Sequence, residues 1–386
     1  MDKKVVIHYS EIGTKGKNRA FFEKKLAENI RKALKNQVKK VYRRYGRIVC
    51  DLKDESDLNS VKQKLTLMPG LSFFSFASSS LLNIDEIKKK ALTLCESREF
   101  ESFKVEAKRA NKSFPLTSIE VNETVGNYLA TNLEKKVKLR EPELTLYIEI
   151  LEREAYLYTE KLRGIGGLPV DTGGVLLSSL SGGIDSPVAS FLLMKRGCRI
   201  VFVHVYNSTL TKREVLKKLE KIVETLTKIQ LNSKLYIVPF EEIQKEIIMK
   251  VPAKLRMLVY RRFMMRILNK IAPWEKAKGV VTGDSIGQVA SQTIENLTCI
   301  YKASELPVLA PLMGMNKEEI VSLAKKIGSY NYSILPYPDC CSFMVAKHPE
   351  THAHLSEVEK AEDFIENKEE LVERCVSKAE LKFFDF

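Results

Sequence analysis

Val175-Leu176-Leu177-Ser178-Ser179-Leu180, running directly into Ser181-Gly182-Gly183-Ile184-Asp185-Ser186-Pro187, decides the reading of the fold. The first six residues have the length and apolar character of a buried strand, and residues 188–195 have those of a helix. Strand, loop and helix in that order form a setting that suits phosphate. Gly182 and Gly183 carry no Cβ to keep an anion from the backbone, and Ser181 and Ser186 offer hydroxyl donors. The helix N-terminus adds oriented N–H groups and the positive end of its dipole. Asp185 is the odd member: a carboxylate repels phosphate unless a divalent cation lies between them, so it is read as a Mg2+ contact. The string does not end in Gly-Lys-Ser/Thr and is therefore not a Walker loop.

Downstream, residues 200–205, 235–238 and 280–282 are further short apolar strands separated by helical stretches. This is the pattern of a Rossmann-like parallel sheet covered on both faces, whose ligands sit at the C-terminal ends of the strands. Upstream, Gly164-Ile165-Gly166-Gly167-Leu168-Pro169 and Thr172-Gly173-Gly174 break all periodicity and suggest a linker. Before it, residues 5–9 read as a strand and Asn18 as the cap of a helix with Phe21, Phe22, Leu26, Ile30 and Leu34 on one face. Strands at 38–42 and 47–52 turn at Gly46, and a helix at 58–67 precedes a strand at 71–76. That βαββαβ order is ferredoxin-like. A helix at 84–95, a strand at 103–107, a helix at 117–133 and strands at 144–150 and 155–158 suggest a second small α+β domain. The expected boundaries are 1–77, 78–165, a linker over 166–174, and 175–386.

Composition narrows the function. With 44% hydrophobic and 29% charged residues the chain is globular, and no window approaches a membrane span. Met1-Asp2-Lys3-Lys4 leads into a five-residue apolar run too short for a signal peptide, and seven scattered cysteines do not make a secreted disulfide framework, so a cytoplasmic protein with reduced thiols is expected. Lys and Arg exceed Asp and Glu by 63 to 49, and the first fifty residues alone carry 15 basic and 4 acidic side chains. A polyphosphate backbone is the partner that such a field fits best, although a solvated basic helix face gives the same count.

The full Ser-Gly-Gly-x-Asp-Ser string resembles the PP-loop of ATP pyrophosphatases, which cleave ATP between the α- and β-phosphates and adenylate a substrate. Residues 164–169, 181–190 and 336–341, in that order, resemble the tRNA 4-thiouridine synthetase family, and residues 108–128 resemble its THUMP RNA-binding domain. The resemblance covers nearly the whole chain. It implies an α/β multidomain protein in which a ferredoxin-like module and a THUMP domain dock tRNA while a PP-loop domain modifies the uridine at tRNA position eight.

For ATP it implies contacts at Ser179, Leu180, Ser181, Gly182, Gly183, Asp185, Ser186, His204, Val205, Arg261, Gly283 and Gln292, with Asp185 as the Mg2+ residue. For RNA it points to Lys108, Arg109 and Lys112, and for catalysis to Asp185, Lys317 and Cys341. Without the resemblance, His204 reads as a core histidine at a strand end, Arg261 and Arg262 as a solvated helix face, and Lys317 as helix surface. Cys341 is implied to open a persulfide and to be left in a disulfide. Cys340 and a thiol cluster remain alternatives, and zinc on His348, His352 and His354 is not expected from their spacing. Many family members carry a C-terminal rhodanese-like domain, and none is expected in the stretch from Cys341 to Phe386. The expected partners are tRNA and a persulfide donor such as a cysteine desulfurase; a homodimer is compatible with the sequence. An ammonia-using PP-loop ligase and a non-catalytic tRNA-binding protein are the competing readings.

Overall fold

The computed structural model describes residues 3–207, 213–335, 344 and 346–386. The chain divides into two compact units, residues 1–169 and 170–386. The first unit begins with β1 (Lys3–His8), α1 (Arg19–Ala33), β2 (Val38–Arg44), β3 (Arg47–Leu52), α2 (Leu58–Thr66) and β4 (Phe73–Ser80). These strands pair antiparallel in the order β2-β3-β1-β4, the ferredoxin-like arrangement expected from the sequence. Val5, Val6 and Ile7 are fully buried, as are Leu26 and Ile30 of the following helix and Leu34 just past its end, whereas Phe21 is 54% exposed and leaves the expected apolar face. Asn18 precedes the helix without a side-chain capping bond.

The unit continues with α3 (Ile84–Glu96), β5 (Ser102–Arg109), α4 (Ser118–Leu133), β6 (Lys136–Val137), β7 (Leu144–Ile150), β8 (Ala155–Tyr158) and β9 (Leu162–Arg163). Caps fix the helix starts. Asn83 accepts from the Asp85 and Glu86 N–H groups, and Thr117 and Glu120 form a capping box, each cap contributing about 1 kcal/mol. Ile87, Val121, Val125 and Leu129 pack onto Phe103, Leu146 and Leu157 of the sheet.

The two small modules do not form separate sheets. β4 hydrogen-bonds to β8, giving one nine-stranded sheet, and the strand spans the expected boundary at 77/78. Val6, Val49 and Ala77 share a core cluster with Tyr156 and Tyr158 across that join. Glu149 of β7 bridges it as well, with His8 Nε2 at 2.7 Å, Arg47 Nε at 2.9 Å and Tyr158 Oη at 2.5 Å. Burial pushes its carboxyl up, but these donors outweigh burial and bring it down to about 2. The glycine run belongs to this unit too: Gly164 and Gly166 donate to the carbonyls of Ser72 and Leu71. A Cβ on Gly164 would stand 2.5 Å from the Leu71 carbonyl oxygen, so only glycine lets the strands approach this closely.

The second unit contains β10 (Val175–Ser179), α5 (Asp185–Lys195), β11 (Arg199–Tyr206), α6 (Arg213–Gln230), β12 (Asn232–Pro239), α7 (Glu241–Lys250) and α8 (Arg256–Glu275). After them come β13 (Val280–Val281), α9 (Ile294–Tyr301), β14 (Val308–Leu309), α10 (Lys317–Ile327), α11 (Tyr330–Ser333), α12 (Leu355–Asp363), α13 (Lys368–Ser377) and β15 (Glu380–Asp385). The strand order is β14-β13-β10-β11-β12-β15, parallel throughout except for β15, which runs antiparallel along β12. The chain leaves β10 toward β11 and later returns to β13 on the other side. The loop after β10 therefore opens at the point where strand order reverses, where such sheets bind ligands. Among the described residues no helix is long and apolar enough to cross a membrane.

Candidate nucleotide site

The glycine loop is braced by its own hydroxyls. Ser186 Oγ accepts from the Ser181 N–H at 3.0 Å and lies 3.1 Å from Ser181 Oγ, which accepts from the Gly183 N–H at 3.2 Å. Ser190 Oγ then links the Ser186 carbonyl and Ser178 Oγ, each at 2.8 Å, tying loop, helix and strand together. The sequence places the helix start after Pro187, but α5 begins at Asp185. Proline is tolerated in a first helical turn, where its missing N–H is not needed, so it does not mark the boundary. The shift puts Asp185 and Ser186 at the positive end of the helix.

Asp185 is held at both oxygens: Lys317 Nζ lies 2.6 Å from Oδ1 and Gln288 Nε2 lies 2.8 Å from Oδ2. Lys317 opens α10, whose start is fixed by an Asn316–Glu319 capping box. Beside this pair lies a cavity of about 460 Å3, within the usual size range of small-molecule sites. Of the expected ATP contacts, Ser179, Ser181, Asp185, Ser186, Arg261, Gly283 and Gln292 line it. Met257, Leu258, Met264 and Met265 supply an apolar wall, and Pro349 and Glu350 close one side.

Leu180, Gly182, Gly183, His204 and Val205 are not among the cavity's described lining. His204 is buried, with Nδ1 2.8 Å from the Leu180 carbonyl, so its ring braces the strand end that leads into the loop. Arg262, which the plain sequence reading places in solvent, is buried and pairs with Glu362 at 2.8 Å. Asp284 was not singled out by sequence. It is nevertheless the carboxylate on which Arg261 Nη2 (2.7 Å to each oxygen), Gln292 Nε2 (3.1 Å) and Tyr301 Oη (2.8 Å) converge. The only sequence signal was the Gly283-Asp284-Ser285 string after a strand.

Gly283 has a geometric reason to be glycine. A Cβ there would meet Ser186 N at 2.8 Å and Asp185 C at 3.0 Å, both backbone atoms of the phosphate loop. Gly283→Ala is expected to displace the loop and lower the rate of ATP cleavage at this site by about 100-fold, as misplacements near 1 Å do. A wild-type rate would show that the loop can shift without consequence.

The RNA candidates are distributed unevenly. Lys108 and Lys112 are exposed, while Arg109 Nη1 donates to the carbonyls of Phe114 (2.9 Å) and Leu116 (3.1 Å) and so secures the loop before α4. Cys340 and Cys341 lie outside the described residues. The other five cysteines, Cys50, Cys95, Cys198, Cys299 and Cys375, are buried and unpaired, and burial pushes every one of these thiols up, Cys95 and Cys375 to about 11.

A glycine-serine phosphate loop after the first strand of a parallel sheet, at its switch point and ending in a lysine-paired aspartate, defines a PP-loop nucleotide-binding enzyme. Residues 171–367 match the family described as thiamine biosynthesis protein ThiI, residues 4–75 the ThiI ferredoxin-like domain, and residues 82–160 the THUMP domain. A probable tRNA sulfurtransferase of Caldanaerobacter subterraneus subsp. tengcongensis is 40% identical over 376 residues, covering 95% of this chain and 98% of its own. One from Moorella thermoacetica is 38% identical, covering 98% and 96%. A crystal structure of a 4-thiouridine synthetase–RNA complex with bound ATP matches with a TM-score of 0.91 and 35% identity over 100% of both chains. The chain belongs to the ThiI family of tRNA sulfurtransferases, as its motifs implied.

Proposed function

We propose that the chain is an ATP-dependent tRNA sulfurtransferase that converts the uridine at tRNA position eight to 4-thiouridine. The observation that carries this reading is the cavity in which the phosphate loop, Asp185, Arg261 and Gln292 share a wall with apolar side chains. Uracil's 4-oxygen is a poor leaving group. It attacks the α-phosphorus of ATP, an oxygen–phosphorus bond forms, the bond to the β-phosphate oxygen breaks, and pyrophosphate departs. A sulfur nucleophile then attacks C4, and AMP leaves carrying the former base oxygen. The base must first leave its stack to reach such a site.

Each part of the site has a task in this scheme. The loop hydroxyls and the α5 N-terminus receive phosphate oxygens, while Arg261 and Gln292 orient the nucleotide. Asp185 suits Mg2+, which takes one or two carboxylates together with substrate phosphates and water rather than an all-protein cage. Among the described residues no group of three or more His, Cys, Asp or Glu gathers to form one. That ion would neutralise charge on the leaving pyrophosphate, and Lys317 stands beside the same carboxylate to do likewise.

Sulfur chemistry is assigned to Cys341. Pro349, eight residues later, lines the cavity, and eight residues of chain span at most about 28 Å. The five described thiols are buried and held protonated, which makes them poor nucleophiles. The outer sulfur of a persulfide donor, such as one borne by a cysteine desulfurase, bonds C4 as AMP leaves. The Cys341 thiolate then attacks the donor's inner sulfur, breaking the S–S bond, leaving sulfur on the base and Cys341 in a disulfide. A dithiol reductant must reopen that disulfide before the next turnover.

Docking of tRNA is assigned to residues 1–169, with Lys108 and Lys112 among the contacts. This fragment is expected to bind tRNA without ATP, with an affinity that falls steeply as salt rises. Salt-independent binding, or none, would move recognition to the other unit. The catalytic reading is tested by pyrophosphate release from ATP: release that requires tRNA supports it. Release that needs ammonia and no tRNA, or no release at all, contradicts it.

A further inference from the structure

Three cations stand at or beside the cavity, and each is held by a carboxylate. Lys317 pairs with Asp185 at 2.6 Å, Lys254 with Glu350 at 3.2 Å and Glu357 at 2.8 Å, and Arg261 with Asp284 at 2.7 Å. The first two pairs are wet. The Lys317 and Lys254 side chains are each 47% exposed, so trading a carboxylate for a phosphate changes little. The third is dry, with Asp284 4% and Arg261 15% exposed, and separating a buried pair strands a charge. Arg261 and Asp284 therefore stay together when a polyphosphate arrives.

Asp284 holds more than the arginine. Its Oδ1 also accepts from Gln292 and its Oδ2 from Tyr301, so both oxygens are saturated by donors and neither is left to ligate a cation. Burial pushes its carboxyl up, but the Arg261 charge and these hydrogen bonds outweigh burial and keep it below the usual carboxylate range. Its backbone is registered too, because the preceding Gly283 packs directly on Ser186 N and Asp185 C. One carboxylate, fixed against the phosphate loop, thus sets two side chains from different elements. Arg261 comes from α8, and Gln292 comes from the loop before α9.

We infer that Asp284 is a positioning residue for the nucleotide, acting through Arg261 and Gln292 rather than touching the reacting atoms. The inference rests on those two residues contacting ATP. Full-length protein is titrated with ATP by calorimetry, with tRNA affinity and Tm measured in parallel. Asp284→Asn is expected to weaken ATP binding by about 10- to 100-fold, the range for losing a charge-assisted contact. In an Arg261→Ala background the same change is expected to cost less than about threefold, because its main intermediary is gone. Tyr301→Phe removes one donor to Asp284 without altering the described cavity lining. It is expected to weaken ATP severalfold at unchanged tRNA affinity, and it decides the matter if Asp284→Asn does not fold. Independent, multiplying effects of Asp284→Asn and Arg261→Ala would overturn the inference. Wild-type ATP binding by both Tyr301→Phe and Asp284→Asn would do the same. Wild-type binding by Arg261→Ala alone would instead remove Arg261 from the nucleotide site.

Discussion

Alanine at Asp185 is expected to lower adenylation by about 1,000-fold or more while leaving tRNA affinity within about twofold of wild type. The carboxylate opens α5, at the positive end of the helix, and makes its two polar contacts to Lys317 and Gln288. Removing it deletes the carboxylate proposed to hold Mg2+ and leaves the phosphate loop one negative charge short, so on that proposal ATP can still enter but its pyrophosphate is no longer neutralised as it departs. Asp185→Asn keeps the shape and loses the charge, and should be nearly as inactive. Both side chains of the Lys317–Asp185 pair touch solvent, so stability should change by no more than about 1 kcal/mol. Pyrophosphate release and a filter-binding curve for tRNA check the two halves of the expectation. Loss of tRNA binding with ATP turnover intact would sink the assignment of Asp185.

Serine at Cys341 should separate the two half-reactions. Nothing in attack on the α-phosphate needs a thiol, so adenylation is expected at the wild-type rate. Sulfur transfer from a persulfide donor requires a thiolate to break an S–S bond, which a hydroxyl does not do, and should fall by about 100-fold or more. Cys340→Ser should do much less. With free sulfide as donor the Cys341→Ser protein should recover, because no persulfide then has to be opened. Pyrophosphate release follows adenylation, and gel mobility of thiolated tRNA follows sulfur transfer from either donor. Thiolation of tRNA by Cys341→Ser at the wild-type rate from a persulfide would hand the role to Cys340 or to a thiol cluster.

Much of this architecture was legible because local signals agreed. Gly46 between two short strand-like stretches marked the first hairpin, and the helices over 84–96 and 118–133 carry capping residues ahead of an apolar face. The limits lay in long-range pairing. Whether β4 ends one module or joins β8 of the next depends on partners some 75 residues away, which periodicity cannot see. The edge strand Glu380–Asp385 lies in the acidic tail and gains its conformation from pairing with β12, so its own residues gave little sign of it. At the site, the glycine loop was readable because its chemistry is contiguous. Asp284 was not, since its meaning comes from Arg261, Gln292 and Tyr301, which meet only in the folded unit. His204 is implied as a nucleotide contact by resemblance, and what the fold adds is its ring against the Leu180 carbonyl, a contact between strand ends that periodicity cannot see.

The most direct test of the account is mass spectrometry of nucleosides from unmodified tRNA incubated with the protein, ATP and sulfide. The account predicts one oxygen exchanged for sulfur per tRNA, in a 4-thiouridine that maps to position eight, together with AMP and pyrophosphate and only when ATP is present. ATP cleavage that leaves tRNA free of sulfur, or sulfur at another position, would contradict it.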